Sequence, residues 1–475
     1  MSTAMLFTML LCFVLSISVA VSIGLASVFG VQVSGLPQLV TVKEMFSSIN
    51  RFPLAAIPFF ILAGNLMETG GISRRLVEFA RSIVGGVQGG LPMTCVLTCM
   101  IFAAVSGSSV ATTFAIGAIL IPALIQRGYP VAYAAALQAT SAELGVIIPP
   151  SIPMILYGVS AEVSIGELFI AGFGPGLLIG GALMLWVFIT CRRKGWGKND
   201  GDGRLPIVSA AIDIAFIVGF MATVAVANRV VAHPNAHLLG PLAYLAVFMV
   251  IPRLRRIVVT HAALALLMPV IILGGIYGGI FTPTEASVVA VFYALMVGVL
   301  VYRETRIGDV GAVLKKSVIS SSVIMFIIAN AGLFSYLITR AGIPDQIGAY
   351  LKETLQTPGL FLLGVNAALF LIGMFIETSA SIIVLAPILA PVAAQFGIDP
   401  VHFGTIMVVN LALGMITPPF GVNLFAACTV AKISLDRIVT SLIPFVLVVF
   451  ACVMLITYVP PISLALRDFV YHTPK

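Results

Sequence analysis

Two short polar stretches interrupt otherwise apolar sequence: "SGSSVATT" at Ser106 to Thr113 and "ETSAS" at Glu377 to Ser381. Downstream of each stand two adjacent prolines, Pro149-Pro150 in "LGVIIPPSIP" and Pro418-Pro419 in "LGMITPPFGV". Proline removes a backbone donor and disfavours a continuing helix, yet it is preorganised for a first helical position. Each double proline therefore ends one half-helix, unwinds a few residues and starts another. Carbonyls freed at the end of the first half can ligate a cation, and the N-terminus of the second turns a positive dipole toward an anion. Ser106, Ser108, Ser109 and Thr112 supply hydroxyl oxygens, Gly107 permits close approach, and carbonyls near Gly145 and Pro149 complete a small oxygen cage. Glu377, Thr378, Ser379, Gly414, Thr417 and Pro418 form a second set. Hard oxygen ligands without thiolate or imidazole suit sodium better than a transition metal. Thr113, Pro150, Ser151, Ser381, Pro419 and Asn423 adjoin the two sets and are assigned to the substrate. The alternative is that the small residues only let helices pack closely; two symmetric tips facing two symmetric breaks favour ion sites.

The elements that carry these residues follow from composition. Of 475 residues, 60% are hydrophobic and 9% charged, against about 25% charged in a soluble domain. The chain reads as an all-α polytopic membrane protein. Its first apolar run, Ala4 to Gly30, lacks the charged n-region and cleavage site of a signal peptide and is expected to be a retained span. The net charge of +7 lies in short loops between apolar runs, which suits membrane topology rather than nucleic acid. The positive-inside rule places Arg74, Arg75 and Arg81, Arg192 to Lys198, Arg253 to Arg256 and Arg303 to Lys316 in the cytoplasm, with a cytoplasmic N-terminus and a periplasmic C-terminus. The six cysteines read as packing residues, and Pro234 between His233 and His237 argues against a helical metal pair. There is no phosphate-binding loop motif and no HExxH, and no histidine lies near "SGSS" to act as a base. Neither ATP hydrolysis nor intramembrane proteolysis is expected, and no enzymatic activity is assigned.

The chain repeats itself. An offset of 269 residues pairs Ile119 with Ile388, Pro122 with Pro391, Gly145 with Gly414, both double prolines, and Pro175 with Pro444. Internal repeats with interrupted hydrophobic segments are a signature of secondary transporters, and here the two copies are expected to be inverted in the membrane. Leu91 to Ile125 and Gly359 to Gln395, 35 and 37 residues long, are too short for two crossings of about 20 residues each. They are expected to form re-entrant hairpins, one opening inward and one outward, with the polar stretches at their tips. Before each hairpin lies an amphipathic stretch expected to lie in the interface plane. "ISRRLVEFARSIV" puts Ile72, Leu76, Phe79, Ala80 and Ile83 on one face, and "IPDQIGAYLKETL" aligns Ile343, Ile347, Tyr350, Leu351 and Leu355.

Glu143 and Glu377 are the acids nearest the breaks. A charge at the bilayer centre costs about 2.5 to 3.5 kcal/mol on insertion scales and marks a functional candidate. They are not repeat mates, since Glu143 aligns with Ala412 and Glu377 with Ser108. Glu143 is either a proton carrier or a structural hydrogen-bond partner, the second being preferred.

Together with "GGIYGGIFTPTEAS" at Gly274 to Ser287, these motifs resemble the large membrane subunit of the tripartite ATP-independent periplasmic (TRAP) transporters, of the dicarboxylate and sialic acid type. The resemblance covers nearly the whole chain. It implies a bacterial inner-membrane protein with an elevator mechanism driven by a sodium gradient, importing a small organic anion. It also implies two partners, a small four-helix membrane subunit and a periplasmic substrate-binding protein. The ion-site residues it implies fall on the tips and breaks named above. A stand-alone sodium-coupled anion transporter of the same architecture is the alternative.

On this basis the chain divides into first-repeat scaffold and arm (1–90), first-repeat transport elements (91–191), a cytoplasmic loop with two extra apolar segments (192–260), a connecting span with second-repeat scaffold and outer arm (261–358) and second-repeat transport elements (359–475). The two extra segments, 206–231 and 238–252, stand where the family is expected to have a short link. They are expected to form a peripheral hairpin with its loop, around His233 to His237, outside the cytoplasm.

Overall fold

The structure is a computed structural model that describes residues 2–15, 17–198, 200, 207–230, 244, 245, 247, 248, 251, 262–355 and 357–472. In a bilayer the backbone has no water to bond, so apolar sequence satisfies its amides as helix. Among the described residues there is no strand, and seven helices are long and apolar enough to cross a membrane.

The first apolar run departs from expectation. It folds as two short helices, α1 (Ser2–Val14) and α2 (Val19–Val33). They run antiparallel: a side chain at Gly30 would strike Met5, and also meet Leu337. At the turn Ser22 Oγ donates to Ser18 O at 3.0 Å. Hydropathy alone does not separate one long span from two short helices, and the missing side chain of Gly30 is what admits Met5.

The chain continues through α3 (Leu39–Ile49), a 3-10 turn (Phe52–Ala55) and α4 (Ala56–Thr69) to an arm helix, α5 (Ile72–Val84). The first hairpin is α6 (Gly90–Ser106) and α7 (Ser109–Gln126). The first broken helix is α8 (Val131–Ala142) with α9 (Leu144–Ile147), then α10 (Ile152–Ser160) inclined to them by 42°. After α11 (Ile165–Lys194) come α12 (Ile207–Val230), α13 (Ala263–Tyr277), α14 (Pro283–Met296) and the long α15 (Ile307–Arg340). The second copy then repeats the order: arm α16 (Ile343–Leu355), hairpin α17 (Pro358–Gly373) and α18 (Thr378–Gln395), broken helix α19 (Pro400–Met415) and α20 (Val422–Ala431), and α21 (Leu435–Tyr458). A short α22 (Pro461–Arg467) packs on α11.

The scaffold is built by α4, α14 and α15, with α2 and α3 packed on α15. Buried Asn65 Nδ2 donates to Ser317 Oγ at 2.8 Å between α4 and α15. The "FTPTEA" motif has a local cause. Thr282 and Glu285 form a capping box and Pro283 takes the first position of α14, which satisfies amides that a helix start leaves free. Three of the basic clusters share one end of the molecule: Arg75 Nη1 pairs with Glu304 Oε1 at 2.7 Å, Lys316 Nζ with Glu68 Oε2 at 3.0 Å, and Gln88 Nε2 donates to Trp196 O at 3.0 Å. Arg253 to Arg256 lie outside the described residues.

On α5, Ile72, Leu76, Phe79 and Ala80 are buried as expected, but Ile83 is exposed and Arg75 is buried. Arg75 stacks its guanidinium 3.6 Å over the Tyr302 ring while pairing with Glu304, so part of the polar face packs too. On α16, Tyr350 is exposed, and Gly348 packs against Gln395 instead. In the extra region, α12 packs against α5 and α13. Phe216 meets Phe248 at 4.9 Å and Phe220 meets Tyr244 at 6.3 Å, so the two segments run antiparallel there. Their connecting loop, with His233 and His237, lies outside the described residues.

Candidate functional site

Each hairpin tip meets the proline break of its own repeat. Ser108 N-caps α7 and Ser151 N-caps α10, and Ser151 Oγ also donates back to Val146 O at 2.6 Å across the break. Gly107, at φ +63°, lies so close to the break that a Cβ would stand 2.9 Å from Pro150 O, and Ile152 N donates to Gly107 O at 3.4 Å. A Cβ on Gly145 would stand 2.7 Å from Thr112 Oγ1 and 2.8 Å from Ser108 O. Under that glycine, Ser106 Oγ and Thr112 Oγ1 are 2.9 Å apart and Thr112 Oγ1 donates to Ser108 O at 2.8 Å. Three oxygens of the predicted first cage are thus gathered, and Ser106, Thr112, Pro149 and Pro150 are all buried. Ser109 is buried as well, with its hydroxyl within reach of Glu143.

The second tip is arranged differently. Glu377 N-caps α18, its Oε2 accepting from Ser379 N at 2.9 Å and Ala380 N at 3.2 Å, while Oε1 accepts from Ser379 Oγ at 2.9 Å. Thr378 Oγ1 donates to Met415 Sδ at 2.9 Å, and Gly414 backs directly onto Gly373. Thr417 Oγ1 donates to Leu413 O at 2.9 Å, the same one-turn bond that Thr112 makes to Ser108 O. Pro418 is half-buried and Pro419 exposed. Ser381 Oγ is buried with no hydrogen-bond partner among the described residues.

A link between the repeats was not visible in the sequence. Asn423, at the start of α20, accepts from Thr113 Oγ1 at 2.7 Å and donates to Glu143 Oε1 at 2.7 Å and Ala139 O at 3.2 Å. Asn423 and Thr113, both assigned to substrate from sequence, have these polar atoms committed to each other. Among the described residues no group of three or more His, Cys, Asp or Glu can hold a metal ion. A cavity of about 560 Å³ separates the scaffold, at Arg51 and Thr282 to Thr284, from Gly158 to Gly166 of the transport elements. Arg51 Nη1 bridges the gap to Val159 O at 3.1 Å.

The family model for the tripartite ATP-independent periplasmic transporter, DctM component, matches residues 6–462. The chain belongs to the TRAP transporter large-permease family. It is 40% identical over 426 residues to the C4-dicarboxylate TRAP transporter large permease protein DctM of Pseudomonas aeruginosa, covering 90% of this chain and 88% of that one. It is 37% identical over 452 residues to the isethionate TRAP transporter permease protein DctMQ of Oleidesulfovibrio alaskensis, covering 95% of this chain and 64% of that one. In fold it is similar to the Alcanivorax borkumensis YdaH transporter, with a TM-score of 0.60 at 14% identity over 88% of this chain and 86% of the other. The TRAP permease is accordingly a multi-pass membrane transporter, and its paired tips and breaks lie within the family match.

Proposed function

We propose that this TRAP permease is the membrane-embedded large subunit of a sodium-driven, binding-protein-dependent importer of a small organic anion in the bacterial inner membrane. The observation that carries this reading is the seating of each hairpin tip on the proline break of its own repeat, twice, in one chain. The first tip fits a sodium ion by its donors. Ser106 and Thr112 hydroxyls and the Ser108 carbonyl converge where Gly145 leaves out a side chain, and hard oxygens of this kind suit sodium. Ser106, Ser108 and Thr112 would hold the ion, and its charge would help to attract an anion to the adjacent half-helix N-terminus of α10.

An elevator movement suits the division into a packed scaffold and a body of hairpins and broken helices. The gap between them near Arg51 is bridged by the hydrogen bond from Arg51 to Val159, a contact easily exchanged when one body slides. The substrate class follows the relatives, whose names specify C4-dicarboxylate and isethionate. The two partners follow the family, whose description is of a tripartite periplasmic transporter, and one relative combines the M and Q designations in a single permease protein. Uptake into proteoliposomes with the permease, small subunit and a binding protein, each omitted in turn, tests the partnership. Loss of uptake on every omission is expected. Vigorous uptake by the permease alone would favour a stand-alone sodium-coupled transporter.

A further inference from the structure

The two acids at the centre of the transport body are treated unequally. Glu377 has both oxygens occupied by the amides and hydroxyl of the first turn of α18. Glu143 is 2% exposed, its Oε1 accepts from Asn423, and its Oε2 has no hydrogen-bond partner. Among the described residues no basic side chain acts on it, whereas the Ser109 hydroxyl and Glu377 do. A buried carboxylate without a counter-charge is strongly unfavourable, so Glu143 is either protonated or paired with a cation that the chain itself does not supply.

The repeat shows that the fold does not require this polar cluster. At the offset of 269, Glu143, Thr113 and Asn423 correspond to Ala412, Ile382 and Met154. All three counterparts are fully buried, and the elements bearing them pack on one another in the same way. One copy of the architecture closes with apolar side chains where the other places a carboxyl, an amide and a hydroxyl.

We propose that Glu143 is the charged ligand of a separate monovalent-cation site between the two hairpin tips, with Ser109 as a second oxygen donor and Asn423 holding the carboxylate in place. The proposal rests on the reading of the permease as a sodium-driven transporter. The cation supplies the missing counter-charge, and a single carboxylate beside a hydroxyl suits a monovalent ion better than calcium, which gathers six to eight oxygens. The site is distinct from the cage of Ser106, Ser108 and Thr112, because Glu143 is held by Asn423 of the other repeat while the cage hydroxyls bond to one another and to Ser108 O.

Equilibrium binding of radioactive sodium to the purified, lipid-reconstituted permease tests this. Glu143→Gln keeps the acceptor for Asn423 and removes the charge. It is expected to bind one sodium ion fewer per chain than wild type, whereas Thr112→Val is expected to lose a different ion and the double variant both. If Glu143→Gln does not purify folded, Glu143→Asp is the second variant, expected to weaken one sodium site at least fivefold. Wild-type sodium number and affinity in the folded variant overturns the Glu143 site while leaving sodium drive intact. A wild-type permease that binds no sodium overturns both.

Discussion

Asn423 of the second repeat donates its amide to Glu143 of the first at 2.7 Å, across 280 residues of chain. The same side chain accepts from Thr113 on the first hairpin. Half-helix α20 is thereby clamped against α7 and α8, so that one repeat's hairpin and the other repeat's half-helix pack as one unit.

Breaking that clamp is expected to cost stability. Asn423→Leu leaves Glu143 Oε1 without its donor, at about 1 to 3 kcal/mol for a buried group left unpaired, while the Thr113 hydroxyl keeps Ser109 O. Thermal unfolding in detergent should fall by several degrees. Thr113→Val should cost less, because Thr113 contributes only one bond to the clamp. Equal unfolding temperatures for Asn423→Leu and wild type would show that the clamp does not bind the repeats.

At the first cage, Thr112→Val and Ser106→Ala are each expected to raise the sodium concentration for half-maximal uptake at least fivefold, since a hydrogen-bond-type ligand to a charged partner contributes about 1.5 to 3 kcal/mol. Cys428→Ala, in α20 beyond the second break, should leave it unchanged. Unaltered sodium dependence in both hydroxyl variants would make close helix packing the better account of these residues.

Gly145→Ala tests the seating of tip on break. Its Cβ would stand 2.7 Å from Thr112 Oγ1 and 2.8 Å from Ser108 O, and overpacking of this kind typically costs 1 to 3 kcal/mol. Uptake should be lost while expression persists. Gly364→Ala, where a Cβ meets nothing within 4 Å, should transport normally. Normal uptake by Gly145→Ala would mean that the tip does not need this contact.

The C-terminal α22 is fastened by charge. Arg467 is 8% exposed and pairs with Asp399 at 2.8 Å and Asp468 at 2.6 Å. Although burial opposes ionisation, Arg467 and the amides of His402 and Val401 hold the Asp399 carboxyl below its usual range. A carboxylate with a lowered folded value contributes stability that is present above the ordinary value of about 3.9 and is lost as pH falls through the folded value. The difference in unfolding temperature between wild type and Arg467→Met should therefore stay constant from about pH 8 to 5 and narrow only below about pH 4. Narrowing near neutral pH would indicate a different titrating group.

The tips, breaks and arms were legible in the sequence because proline, glycine and hydroxyl residues stand out in apolar surroundings, and the repeat marked each of them twice. Direction was less legible than position. Glu377 sits at the second tip, and its side chain accepts from the amides of Ser379 and Ala380 a few residues away, a direction that residue type and spacing do not disclose. The fold-back of α1 on α2 leaves no trace in hydropathy, since Gly30 admits Met5 only in three dimensions. The bond from Asn423 to Glu143 could not be read at all, because its repeat counterparts, Met154 and Ala412, are apolar and give no symmetric hint.

The central claim, that a sodium gradient drives this permease with its partners, is tested most directly by the accumulation ratio of a radiolabelled substrate anion in proteoliposomes holding the permease and small subunit, with the matching binding protein outside. An inward sodium gradient is predicted to concentrate the anion above its external level, and collapsing that gradient with a sodium ionophore should return it to equilibrium. Accumulation that persists without the sodium gradient, or mere equilibration in its presence, would contradict the account.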